Sequence, residues 1–256
     1  MLFEERLLFF PVRYPRGEWD QASRLGLRPE EVEVRTSDGV RLHGWYLTSP
    51  ARDAPVLLIF SGNGGNLSLR ADFLRRLLLS GCDVFNVDYR GYGKSEGRPS
   101  EKGFYLDGEA AFHHLVIDRG VDPRRIVFLG RSLGGGVAME MAIRHPEAGG
   151  LVLESTFRSI LHMGKRRHPY LPLRFLLHTR FDNLGKAPRL RLPVLVIHGT
   201  HDEVIPLEEG RALFDALPAG VHREIYLIDG AHHSDTAPHG GEEYARRIRA
   251  FVGRSR

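Results

Sequence analysis

The chain has 256 residues, 42% hydrophobic and 27% charged, an ordinary balance for a globular protein that excludes a disordered or low-complexity chain. Its formal charge is +4, with 32 arginines against 4 lysines, but the arginines are scattered over nearly every predicted helix, so no nucleic-acid partner is expected. Cys82 is the only cysteine, which rules out an internal disulfide and fits a reducing, cytoplasmic setting.

Met1 to Val12 (MLFEERLLFFPV) is apolar but carries Glu4, Glu5 and Arg6, and its longest uncharged run is too short to span a bilayer. It lacks the basic start and small-residue cleavage site of a signal peptide. A packed N-terminal segment is expected, with a weak membrane contact by residues 1–12 as the alternative.

EVEVR at 31–35 and residues 41–47 alternate with period two around Ser37-Asp38-Gly39, which predicts an antiparallel hairpin. Beyond it the pattern changes: PVLLIF at 55–60 is continuously apolar, as a strand covered on both faces is, and further strands are expected at DVFNVD (83–88), IVFL (126–129), GLVLE (150–154) and PVLVIH (193–198). A last strand is expected at 224–228. Helices are expected between them, one with Phe104, Gly108, Ala111 and Leu115 on a single face, and a C-terminal one with Tyr244, Ile248, Phe251 and Val252 inward. Alternating strands and helices predict one domain over 1–256, with a mainly parallel sheet of about eight strands and helices on both faces. Sites in such sheets lie at the carboxyl ends of the strands.

Gly130-Arg131-Ser132-Leu133-Gly134 lies between a predicted strand and a predicted helix. G-x-S-x-G in that context is a nucleophile elbow, whose turn is too sharp for side chains beside the serine and leaves the hydroxyl exposed. A serine becomes a nucleophile when a positioned base takes its proton and an acid orients that base. Asp202, after PVLVIH, is the candidate acid, with Glu154 as rival; His232 and His233 are adjacent candidate bases between which spacing does not choose. A zinc set of His232, His233, Asp235 and His239 matches no established metal spacing, and no metal or cofactor is expected. Backbone N–H groups of Leu133 and of Asn63, in the glycine-rich loop SGNGGN, are the candidate oxyanion donors. That loop lacks the Gly-Lys-Ser/Thr of a phosphate-binding loop and the glycine spacing of a dinucleotide site.

SGNGGN at 61–66, DYRGYGKSEG at 88–97, GRSLGG at 130–135, ESTF at 154–157, RFDNL at 180–184, HGTHDEVIP at 198–206 and GAHHSDT at 230–236 together resemble the α/β-hydrolase superfamily, and within it the Bem46/ABHD13/ABHD17-like serine hydrolases. The resemblance covers most of the chain after residue 30 and implies an α/β-hydrolase fold. The segment at about 157–181, which mixes apolar residues with Arg158, Lys165, Arg166, Arg167, Arg174 and Arg180, reads as a short cap or equally as a plain surface helix pair. Laying the family's final Gly-His-Asn-Asp-Thr on this chain puts the catalytic histidine on His233. The departures are His232, where glycine is usual, and Ser61, where histidine is usual.

The expected function is hydrolysis of a small-molecule carboxylic ester or thioester through an acyl-enzyme on Ser132, with Asp202 and His233 completing the triad. The alternatives are a serine peptidase, for which no charged anchor for a peptide terminus is evident, and a non-catalytic binding protein of the same fold.

Overall fold

The computed structural model describes residues 8–254. Eight strands form one sheet: β1 (Glu30–Arg35), β2 (Arg41–Leu47), β3 (Val56–Phe60), β4 (Asp83–Val87), β5 (Ile126–Arg131), β6 (Gly150–Glu154), β7 (Val194–Gly199) and β8 (Arg223–Ile228). Their order across the sheet is β1-β2-β4-β3-β5-β6-β7-β8. β2 pairs antiparallel with both β1 and β4, and the remaining pairs are parallel.

Period-two alternation explains why this sheet needs two cores. Leu58, Phe128, Leu153 and Val196 face one side, where they meet Phe104 and Ala111 of α2 (Glu101–His113) and Val137 and Met141 of α3 (Gly134–Arg144). Leu57, Leu129, Val152 and Leu195 face the other, against Leu74 and Leu77 of α1 (Ala71–Leu78) and Tyr244, Ile248 and Phe251 of the C-terminal helix (Thr236–Arg254). Cys82 is buried in that second core.

The cap follows β6. Its helix α4 (Ile160–Arg167) is capped by Ser159, whose side chain accepts from the His162 N–H, and a short helix follows at Leu173–Leu176. α5 (Leu207–Asp215) then links β7 to β8.

Of the N-terminal segment, residues 1–7 lie outside the described residues. Phe9 is buried, with its ring 5.0 Å from that of Phe104, and Phe10–Pro11 pairs in parallel with Gly64–Gly65. Phe10 itself is exposed. Among the described residues, no helix is long and apolar enough to cross a membrane.

Candidate active site

Ser132, Asp202, His233 and Asn63 come from four loops, each leaving the carboxyl end of a strand: β5, β7, β8 and β3. β5 ends at Arg131 and α3 begins at Gly134, so the chain reverses direction within two residues. Ser132 consequently has φ +53°, a left-handed conformation that costs a non-glycine residue about 1–3 kcal/mol. Its N–H donates to Glu154 O at 2.9 Å, and Thr156 Oγ1 donates to Ser132 O at 2.7 Å, so the strained residue is held on both sides. Close approach forbids side chains at the elbow glycines. A Cβ on Gly134 would lie 1.9 Å from Phe60 O, and one on Gly130 would lie 2.5 Å from Gly134 O.

His233 Nε2 lies 3.1 Å from Ser132 Oγ, and its Nδ1 lies 2.8 Å from Asp202 Oδ2. Asp202 is buried. Its Oδ1 accepts from the N–H groups of Val204 and Ile205 at 3.0 and 2.8 Å, and His198 Nε2 sits 3.4 Å from Oδ2. Burial opposes ionisation of this carboxyl, but the bonds from His198, His233 and the Ile205 N–H outweigh it and hold Asp202 well below the usual carboxylate range.

Of the two adjacent histidines, His232 turns outward: its Nδ1 is 3.1 Å from Glu203 Oε2 and its N–H is bonded to Asp235 Oδ1. Among the described residues, His232, His233, Asp235 and His239 do not converge as a metal site; the one group of that kind is Glu109, His113 and His145. Glu154, the rival acid, is fully buried and committed elsewhere. It accepts from Thr236 Oγ1 and from Tyr244 Oη at 2.6 Å, and forms an ion pair with Arg131, whose Nε lies 3.3 Å away. Arg131 in turn donates from Nη2 to His233 O at 3.1 Å. Glu154 therefore braces the histidine loop from beneath, through Arg131 and Thr236.

The loop after β3 runs beside the serine: a Cβ on Gly62 would lie 3.4 Å from Ser132 Cβ. Two side chains that sequence reasoning left without a role fix it. Arg70 Nη2 donates to Gly62 O at 3.0 Å and also to Gly64 O, while Tyr92 Oη donates to Asn63 O at 2.7 Å. The Asn63 side chain is occupied with the N-terminal segment, its Nδ2 donating to Leu8 O. Tyr92 lay within a motif already quoted; for Arg70 the available signal was a lone cation at the foot of a glycine-rich loop. A cavity of about 60 Å³, lined by Ser61, Gly62, Leu69, Arg70, Phe73 and Arg131, adjoins this loop.

A family model described as alpha/beta hydrolase fold matches residues 55–185. An uncharacterized protein of Mycobacterium tuberculosis is 36% identical over 250 residues, spanning 97% of this chain and 87% of that protein. Alpha/beta hydrolase domain-containing protein 17B of Homo sapiens is 32% identical over 238 residues, spanning 93% of this chain and 80% of that protein. Among solved structures, an esterase of Pyrococcus furiosus superposes with a TM-score of 0.78 at 23% identity, covering 96% of this chain and 97% of that one. The chain belongs to the α/β-hydrolase family and is a hydrolase similar to the domain-containing protein 17B group within it.

Proposed function

We propose that the protein is a serine hydrolase that cleaves carboxylic esters or thioesters through an acyl-enzyme on Ser132. The single observation that carries this reading is His233 bridging the other two groups, with Nε2 3.1 Å from Ser132 Oγ and Nδ1 2.8 Å from Asp202 Oδ2. Ser132 Oγ attacks the acyl carbonyl while His233 Nε2 takes its proton. Asp202 fixes the tautomer with Nδ1 protonated and stabilises the imidazolium that forms. The carbonyl oxygen, now negative, is held by the N–H of Leu133 at the start of α3 and by the N–H of Asn63, each worth about 3–4 kcal/mol in the transition state. His233 returns the proton to the departing alcohol or thiol. Water, activated by the same imidazole, then releases the acid and restores Ser132.

The likeness to an esterase of P. furiosus supports the choice of ester-type substrates. The test is a panel of oxyester, thioester and amide substrates sharing one acyl group, run on wild type and Ser132→Ala, together with a fluorophosphonate probe. Turnover of the ester or thioester, labelling of wild type, and a loss of about a millionfold in the variant are expected. Turnover unchanged in Ser132→Ala, or no labelling of wild type, would overturn the reading, and amide turnover above ester turnover would favour a peptidase.

A further inference from the structure

Between Phe157 and Phe181 the chain carries Arg158, Lys165, Arg166, Arg167, Arg174 and Arg180 and no aspartate or glutamate, so this one segment holds more positive charge than the whole chain's surplus of +4. Two of these cations are used within the protein: Arg158 pairs with buried Glu209 at 2.6 Å, and Arg180 Nη2 donates to Arg174 O at 3.1 Å. Lys165, Arg166, Arg167 and Arg174 are exposed.

The apolar residues of the cap divide in the same way. Ile160 and Met163 of α4 pack against the first core, and Leu173 is buried against Gly164, where a Cβ would lie 2.9 Å from Leu173 Cδ1. Tyr170, Leu171, Phe175 and Leu176 remain outside, with Tyr170 97% and Phe175 82% exposed. Scattered apolar residues on a surface are normal, whereas four exposed ones within positions 170–176, bounded by α4's cations and with Arg174 the one charged residue among them, mark a contact surface.

We infer that this outer end of the cap docks on an anionic lipid bilayer. Aromatic rings settle at the headgroup level and leucines reach the acyl boundary, while Lys and Arg meet lipid phosphates, each adding about fivefold to binding. The absence of any acid from the segment is what a negatively charged surface requires. A nucleic acid would satisfy the cations but has no place for Leu171 and Leu176. Because the cap is inserted between β6 and β7, it leaves the same sheet rim as Ser132 and Asp202, so docking brings that rim close to the lipid. The inference goes beyond the ester reading and does not depend on it.

The test is co-sedimentation of the full chain with vesicles of phosphatidylcholine alone and with about one-third phosphatidylglycerol. Binding is expected to the anionic vesicles only, and to weaken at about 0.5 M NaCl. Lys165→Gln/Arg166→Gln/Arg167→Gln should weaken it by roughly a hundredfold, and Tyr170→Ser/Phe175→Ser by at least about tenfold. Thermal melting verifies that both variants fold, and Ser132→Ala should bind like wild type, whatever its activity. Equal binding to both vesicle types, wild-type binding by both cap variants, or binding to a labelled single-stranded oligonucleotide in place of vesicles would overturn the inference.

Discussion

Asp202 and Glu154 are both buried carboxylates near the loop that carries His233, and their partners assign them different work. Asp202 receives His233 Nδ1 and two backbone N–H groups, so replacing it by Asn removes the charge that orients and stabilises the imidazole. Asp202→Asn should therefore retain the fold and lower kcat by about ten-thousandfold, as measured by ester turnover beside thermal melting. Glu154→Gln should do the reverse. It leaves Arg131 without its buried carboxylate, so a stability loss of about 3–5 kcal/mol is expected by denaturant titration, with a fall in kcat far smaller than that of Asp202→Asn. Asp202 stays ionised to well below the usual carboxylate range, so under the proposed mechanism the acid side of the pH profile reports on the histidine base and not on this carboxylate. A protonated His233 Nε2 cannot accept the Ser132 proton, so kcat/KM should fall on acidification. A profile flat to about pH 4 would count against a histidine base.

At the scale of elements, the strand β5, the turn at Ser132 and the helix α3 act as one rigid unit because α3 is seated directly on the end of β3. Gly134→Ala would push a methyl carbon to 1.9 Å from Phe60 O, a backbone atom at the end of β3 that cannot yield. The helix must shift, so a Tm drop accompanied by loss of activity is expected, in contrast to Gly253→Ala, where nothing lies within 4 Å of the added carbon. This unit was legible in the sequence, since a sharp elbow leaves its mark in local glycine spacing. So was β3, whose continuous apolar run advertises burial on both faces. The choice between His232 and His233 was not legible from spacing, because it turns on how the loop after β8 is hung from Asp235 and Arg131. Nor was the employment of Glu154, whose partners Thr236 and Tyr244 lie far along the chain and meet it only once the C-terminal helix has packed. Helix α3 starts at Gly134, three residues before its first bulky residue, Val137, because the three glycines are the surface that faces Phe60 O, Thr156 and Phe181.

Across the whole molecule, the antiparallel end of the sheet is tied to the parallel end by Arg90. Its Nε donates to Asp107 Oδ1 of α2 at 2.8 Å, and its two terminal nitrogens grip Asp38, in the turn joining β1 to β2, at 2.8 and 3.0 Å. Asp107 is almost fully buried, and burial pushes its pKa up to about 7 even though Arg90 pulls it down. Arg90→Met removes that pull, so Asp107 must either keep its proton at neutral pH or sit as an uncompensated charge, at a cost of about 3–5 kcal/mol. The sign with pH follows from where the proton sits. Below about pH 6, Asp107 is already mostly protonated in the native protein, and the substitution costs only the lost hydrogen bonds. Above about pH 7 the native protein holds an ionised, paired Asp107 that the variant cannot, so the destabilisation should grow as pH rises from 5 to 9. Chemical denaturation of wild type and Arg90→Met at both ends of that range measures the difference. Adding Asp107→Leu to the variant should recover part of the loss and remove the pH dependence, because no carboxylate is left to bury. A pH-independent loss in Arg90→Met, or no recovery in the double variant, would show that Arg90 ties the two ends together by packing and not by charge.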